Sequence, residues 1–207
     1  MPISDAAHFQ DRRGFMLASL AALGAAAFPR WARADAAAQA ASLVSQLSGE
    51  LTQLVNSGQS EARVYAGFES ILSRYADMPA VAAAALGPPW RAATSAQKSQ
   101  YATAFQAYLA RKYGRQFREY RNSTVEVTGA RDAGKAGALV NTTVRIPGRS
   151  PIAVDWQVSA RSGQPRVVNL IIEGVSMLAN ERAEIGAILE SQGGSIDGLT
   201  RELQGRA

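Results

Sequence analysis

At Ser123 the apolar residues of this chain change their spacing from three and four to two, so helices must give way to strands there. Before that point the stripes are helical. Leu43, Leu47, Leu51, Leu54 and Val55 recur at helical spacing, and Asn56-Ser57-Gly58 closes that helix. Val64, Phe68, Ile71, Leu72 and Tyr75 make a second stripe. Asp77-Met78-Pro79 opens a short Ala-rich helix, with Pro79 near N1 where its missing N–H costs least, and Gly87-Pro88-Pro89 ends it. Thr94-Ser95-Ala96-Gln97 has the pattern of a capping box. It opens what reads as the longest helix, with an apolar face of Tyr101, Phe105, Leu109, Tyr113, Phe117 and Tyr120.

Beyond Ser123 the period is two. Val125 and Val127 alternate with polar neighbours, and Asp132 to Lys135 turns the chain. Val140, Thr142, Val144 and Ile146 follow, then the turn Pro147 to Pro151, then Ile152, Val154, Trp156 and Val158. Ser162-Gly163-Gln164 leads into Val167 to Ile172. Four strands joined by short turns predict an antiparallel meander. Two helices, about 178–192 and about 196–203, complete the chain. Helices followed by strands give an α+β class. N-terminal helices pack on a four-stranded antiparallel sheet, with C-terminal helices behind, and the aromatic helix is the expected cover of the sheet.

The N-terminus reads as an export signal. Arg12-Arg13 precedes Phe15-Met16-Leu17, an apolar run extends to Phe28, and Ala32-Arg33-Ala34 offers a small-x-small cleavage site. The Arg-Arg pair before Phe-Met-Leu is the twin-arginine pattern. The run falls well short of the ~20 apolar residues of a membrane span. Residues 1–34 are thus expected to be a signal, and 35–207 a single exported domain.

That segment holds the only histidine, His8, and the chain has no cysteine. The domain left after cleavage therefore has no Ser-His-Asp or Cys-His arrangement, no common zinc site, no disulfide and no lipoprotein anchor. Phosphate-binding glycine motifs are absent too. Positive charge is scattered apart from Arg111, Lys112, Arg115, Arg118 and Arg121, which argues against nucleic acid. That cluster reads as a solvated helix face, or as a contact for lipid phosphates or an acidic partner. Carboxylate chemistry stays open at two positions. Asp155 lies mid-strand on the polar face, and Glu173 sits where the last strand meets Gly174. Either acid, desolvated in a pocket, could serve an isomerase. A periplasmic adaptor with no ligand is the third class.

Two blocks carry a family resemblance. One runs Leu86-Gly87-Pro88-Pro89-Trp90-Arg91-Ala92-Ala93-Thr94-Ser95-Ala96-Gln97-Lys98 and continues into Phe105, Tyr108-Leu109 and Tyr113-Gly114. The other is Ile172-Glu173-Gly174-Val175-Ser176-Met177, continuing through Asn180, Arg182 and Ile185 to Ile196-Asp197-Gly198-Leu199. In content, order and spacing the chain resembles the MlaC (toluene-tolerance) family of periplasmic phospholipid-binding proteins, from about Phe68 to Leu203. It departs at Asn169, where the family often has Asp, and at Glu181, where an aromatic or neutral polar residue is common.

The resemblance implies a soluble carrier with no cofactor and no enzymatic activity, and a monomer suits such a shuttle. Such a carrier moves phospholipid between an outer-membrane lipoprotein complex and an inner-membrane ABC transporter containing an MCE-domain protein. The hopanoid-associated branch of the family is the alternative. The resemblance also implies a cleft between helices and sheet that takes acyl chains. Alternation and helix spacing supply its candidate lining: Val140, Val144, Val154, Trp156, Leu170 and Ile172 from strands, and Phe105, Leu109 and Phe117 from the aromatic helix.

Overall fold

A computed structural model describes the backbone of residues 30–206, and the side chains of 35–206 apart from 117 and 118. Residues 1–29 of the expected signal lie outside the described residues, as do the side chains of 30–34. The helical half follows the sequence pattern closely. Helix α1 (Arg30–Asn56) stops at Asn56, and α2 (Glu61–Tyr75) carries the second stripe, burying Phe68 and Ile71. Helix α3 (Met78–Leu86) is capped by Asp77, whose carboxylate accepts from the Ala80 N–H at 3.1 Å. A four-residue helix, α4 (Pro89–Ala92), follows at once. The sequence had marked Pro88-Pro89 only as a stop. Proline is equally suited to the first turn of a new helix.

Helix α5 (Ser95–Gln116) opens on the expected box. The Gln97 N–H donates to Thr94 Oγ1 at 3.2 Å, and the Thr94 N–H donates to Gln97 Oε1 at 3.1 Å. At 27 residues, α1 is longer than α5 with 22. The expected apolar stripe of α5 is interrupted at its end, where Phe117–Tyr120 tightens into a 3-10 turn. Strands β1 (Thr124–Asp132), β2 (Ala138–Arg145), β3 (Ile152–Ser159) and β4 (Arg166–Ile172) follow. Helices α6 (Met177–Ser191) and α7 (Ile196–Arg206) end the described chain.

The sheet has five strands where four were expected, in the order β1-β2-β3-β4-β5, with every neighbour antiparallel. The fifth, β5, is Val175–Ser176. Glu173 and Gly174 both have positive φ, 49° and 79°, the successive left-handed pair of a two-residue hairpin turn. Glu173 occupies a conformation unusual for a residue with a Cβ. Two bonds to Ala153 of β3 hold it there. Its N–H donates to the Ala153 carbonyl at 2.9 Å, and its carboxylate accepts from the Ala153 N–H. Ser176 then caps α6, accepting from the Ala179 N–H at 3.2 Å.

Alternation along the strands gives the sheet one apolar face. In register, Val140, Trp156 and Leu170 form one row across it, and Thr142, Val154 and Ile172 form the next. The cover of this face differs from expectation. Helix α1 lies against β1 and β2, while α5 packs on α2, α3 and α7. Small residues explain the exchange: Ala37, Ala40, Val44 and Ser48 are buried on α1 and let it approach closely. The rings of α5 instead stack on one another, Tyr101 with Phe105 at 5.6 Å and Phe105 with Tyr108 at 6.2 Å, inside an all-helical core with Ile185, Leu199 and Leu203. A second core joins Val44, Leu47, Phe68 and Ile71 to the sheet. Leu72 and Tyr113 pack against both.

Candidate functional site

Where the two cores meet they leave a partly open cavity of about 260 Å³. Its floor is the sheet, through Val144, Val154, Trp156, Leu170 and Ile172. Helix α1 contributes Leu47, Leu51 and Val55, and α2 contributes Phe68, Ile71, Leu72 and Tyr75. Leu109 and Tyr113 come from α5, Met177 and Leu178 from α6. The lining is overwhelmingly apolar. Even Trp156 shows no free donor, because its indole N–H is bonded to Thr142 Oγ1 at 3.0 Å, and that hydroxyl donates to the Val154 carbonyl at 2.8 Å.

One wall is different. Glu181 of α6 lines the cavity and is only 3% exposed. Its Oε1 accepts from Lys112 Nζ at 2.6 Å and from the Tyr113 hydroxyl at 2.5 Å. Lys112 also donates to Glu184 Oε2 at 2.6 Å, and the Tyr108 hydroxyl donates to Glu184 Oε1 at 2.6 Å. Burial disfavours the Lys112 ammonium, but hydrogen bonds to Glu181, Glu184 and Tyr108 outweigh it and hold its pKa above the ordinary value. Burial acts in the opposite sense on Glu184, and the donors Lys112 and Tyr108 prevail, keeping its carboxyl below the usual range. Burial, reinforced by the hydrogen bond to Glu181, pushes the Tyr113 hydroxyl well up. This ionic knot ties α5 to α6 beside the cavity.

Of the nine residues expected to line a cleft, the fold brings six to the cavity: Leu109, Val144, Val154, Trp156, Leu170 and Ile172. Phe105 and Val140 are elsewhere. Phe105 is fully buried in the helical core, and Val140 is fully buried in the core beneath α1. Both have the right periodicity, but each faces a packed neighbour. The Phe117 side chain lies outside the described residues. The α1, α2 and α6 linings were not singled out from the sequence, although their stripes were visible. Glu181 was noted there only as a departure from a family pattern.

Neither acid weighed for catalysis is in the cavity lining. Asp155 accepts from Asn141 Nδ2 at 2.7 Å on the other face of β3, and Glu173 is exposed in the hairpin turn. Lys112 leaves the supposed solvated basic face and turns inward, whereas Arg111, Arg115 and Arg121 are exposed. No group of three or more His, Cys, Asp or Glu able to hold a metal occurs among the described residues. Nor, among them, is any helix long and apolar enough to cross a membrane. The arrangement suits an elongated apolar ligand.

Known proteins resemble this chain in sequence and in fold. The sequence model of the MlaC protein family matches residues 45–205. The intermembrane phospholipid transport system binding protein MlaC of Haemophilus influenzae is 24% identical over 135 residues, 63% of this chain and 62% of that protein. The match thus spans less than two thirds of that curated relative's length. Among solved structures, a phospholipid-binding protein from Ralstonia solanacearum, in complex with a phospholipid, superposes with a TM-score of 0.70 at 23% identity. That alignment covers 81% of this chain and 96% of the other, a likeness of fold.

Proposed function

This chain belongs to the MlaC family, and from that premise we propose that it is a periplasmic phospholipid carrier. The observation that carries the reading is the apolar cavity, walled by helices α1, α2, α3, α5 and α6 on one side and the sheet on the other. In this reading the protein exchanges lipid with an inner-membrane ABC transporter containing an MCE-domain protein and with an outer-membrane lipoprotein complex. The name of the Haemophilus relative and the phospholipid in the Ralstonia structure support it. Export through the Arg12-Arg13 signal delivers it to the periplasm.

The energetics of lipid transfer favour such a design. At about 0.8 kcal/mol per buried CH₂, two acyl chains represent well over ~20 kcal/mol of transfer free energy. That exceeds the ~18–21 kcal/mol ceiling on non-covalent affinity. Free lipid in water is not a workable intermediate. The carrier must offer surroundings about as apolar as a membrane and hand over on docking. Binding tighter than that would block release, so direction comes from the partners.

Native mass spectrometry of the exported protein, purified without detergent, tests the proposal. A stoichiometric phospholipid adduct is the expected result. A protein that is apo, and stays apo after incubation with phosphatidylethanolamine–phosphatidylglycerol vesicles, would overturn it. A hopanoid adduct would keep the carrier and change the cargo.

A further inference from the structure

The polar side chains of the cavity wall fall into two sets. Tyr75, Tyr113, Asn169 and Glu181 are bonded within the protein. Thr52, Gln116, Tyr120 and Ser123 line the same cavity, and their side chains have no hydrogen-bond partner among the described residues. These four come from the end of α1, the end of α5, the 3-10 turn and the entry to β1. Asn122 stitches those segments together. It takes a left-handed conformation (φ 60°), and its N–H donates to Asn56 Oδ1 at 2.9 Å. The free polar groups of the cavity therefore gather at one end.

A second pocket, of about 250 Å³, lies at that end, and Val55 lines both spaces. Its wall includes the side chains of Gln59, Ser60, Glu61, Tyr65 and Arg121. Glu61, the acid of this lining, is already engaged, with its Oε2 accepting from the Tyr65 hydroxyl at 3.4 Å. Arg121 is different. It has no hydrogen-bond, ion-pair or ring partner among the described residues, and its backbone is held in place beside Asn122. Arg115, next to Gly114 of the same lining, is exposed and adds charge of the same sign.

The carrier reading, on which this inference rests, places acyl chains in the apolar cavity. We propose that the pocket beyond Val55 receives the phosphate of the cargo's headgroup, with Arg121 as its cationic partner. A phospholipid turns from apolar to charged within a few bonds, and the lining makes the same change between Val55 and Arg121. A guanidinium meets phosphate oxygens with paired N–H donors, a match that an ammonium headgroup does not offer. Arg121 is exposed, so water weakens the pair. The contact orients the lipid more than it holds it. Inorganic phosphate would present the same oxygens without the chains.

The test loads the protein from vesicles of dioleoyl phosphatidylglycerol and dioleoylglycerol, which share their chains and differ in the phosphate. Native mass spectrometry reads the ratio of the two bound lipids. Arg121→Gln should lower the ratio of phosphatidylglycerol to dioleoylglycerol about fivefold. Arg111→Gln changes an exposed arginine of α5 outside both linings, and should leave the ratio unchanged. A second readout is the NMR signal of the Arg121 Nε–H, identified by its loss in Arg121→Gln. It should move when phosphatidylglycerol binds and stay in place with dioleoylglycerol or inorganic phosphate.

An unchanged ratio in Arg121→Gln, or an equal fall in Arg111→Gln, would overturn the inference and leave the carrier standing. A signal that moves as far with inorganic phosphate as with the lipid would assign the pocket to a free anion, and would overturn it as well. Failure to capture either lipid would remove the carrier reading and this inference with it.

Discussion

Trp156 and Thr142, on adjacent strands, are joined by a 3.0 Å hydrogen bond from the indole N–H to the threonine hydroxyl, with Thr142 only 2% exposed. The bond lets a tryptophan floor the cavity without a free polar atom. Thr142→Val keeps the shape and removes the acceptor. It should lower stability by about 1–3 kcal/mol, the cost of a buried unsatisfied donor, as measured by urea denaturation. A loss under a few tenths would mean the N–H finds another partner.

Blocking the cavity should empty it. Val154 sits in register with Ile172 at its floor, so Val154→Trp fills the space from below. Overpacking costs about 1–3 kcal/mol, which leaves a domain of ordinary stability folded. Leu170→Glu places a charge against the apolar walls. Both variants should lose most of their bound lipid in native mass spectra while keeping their circular dichroism. Undiminished lipid in both would remove these residues from the binding surface.

A clasp between α1 and α2 predicts acid sensitivity. Glu50 accepts from Arg74 at 2.5 and 2.9 Å and from the Tyr75 hydroxyl at 2.6 Å. The hydrogen bonds from Arg74 first, then Tyr75, hold its carboxyl below the ordinary 4.5. A depressed folded-state pKa gives stability that is present above the unfolded value and lost as pH falls through the folded one. Glu50→Gln should therefore be less stable than wild type at pH 7, and the gap should narrow below about pH 4.5. A gap independent of pH would show that the clasp acts through shape alone.

Two glycines in one turn should respond differently to alanine. Gly137 has φ 94°, and a Cβ there would lie 2.1 Å from the Val158 carbonyl oxygen. Gly134 has φ 61° and open space around it. Gly137→Ala should cost about 3 kcal/mol or more, Gly134→Ala only about 1. Thermal denaturation of the pair reads the difference directly.

Signals carried by neighbouring residues were legible in the sequence. The Thr94–Gln97 box, the Asp77 cap and the period change at Ser123 each depend on a few adjacent positions, and each is where the pattern puts it. The β4–β5 hairpin was not legible, because glutamate is a poor signature for a left-handed turn. Its conformation is stabilised by Ala153, twenty residues earlier. Periodicity also could not separate Phe105 from Leu109 or Val140 from Val144. Each pair shares an apolar face, and whether that face meets packed atoms or empty space depends on partners far away in sequence. Glu181 belongs to the same class, since Lys112 and Tyr113 give it meaning only after α5 and α6 are brought together.

The two walls of the cavity are built from different forces. Strands β1 to β4 are tied by backbone ladders, each to the next, and their separation is set by peptide geometry. Helices α1, α2, α3, α5 and α6 meet the space through side chains. The Glu50–Arg74 clasp fixes α1 to α2 and the Lys112 knot fixes α5 to α6, while the apolar contacts between these pairs can slide. A cargo bulkier than the resting space must therefore push on the helices while the sheet keeps its span. The sheet acts as an anvil of fixed breadth, and the helices are the jaw that measures what lies on it.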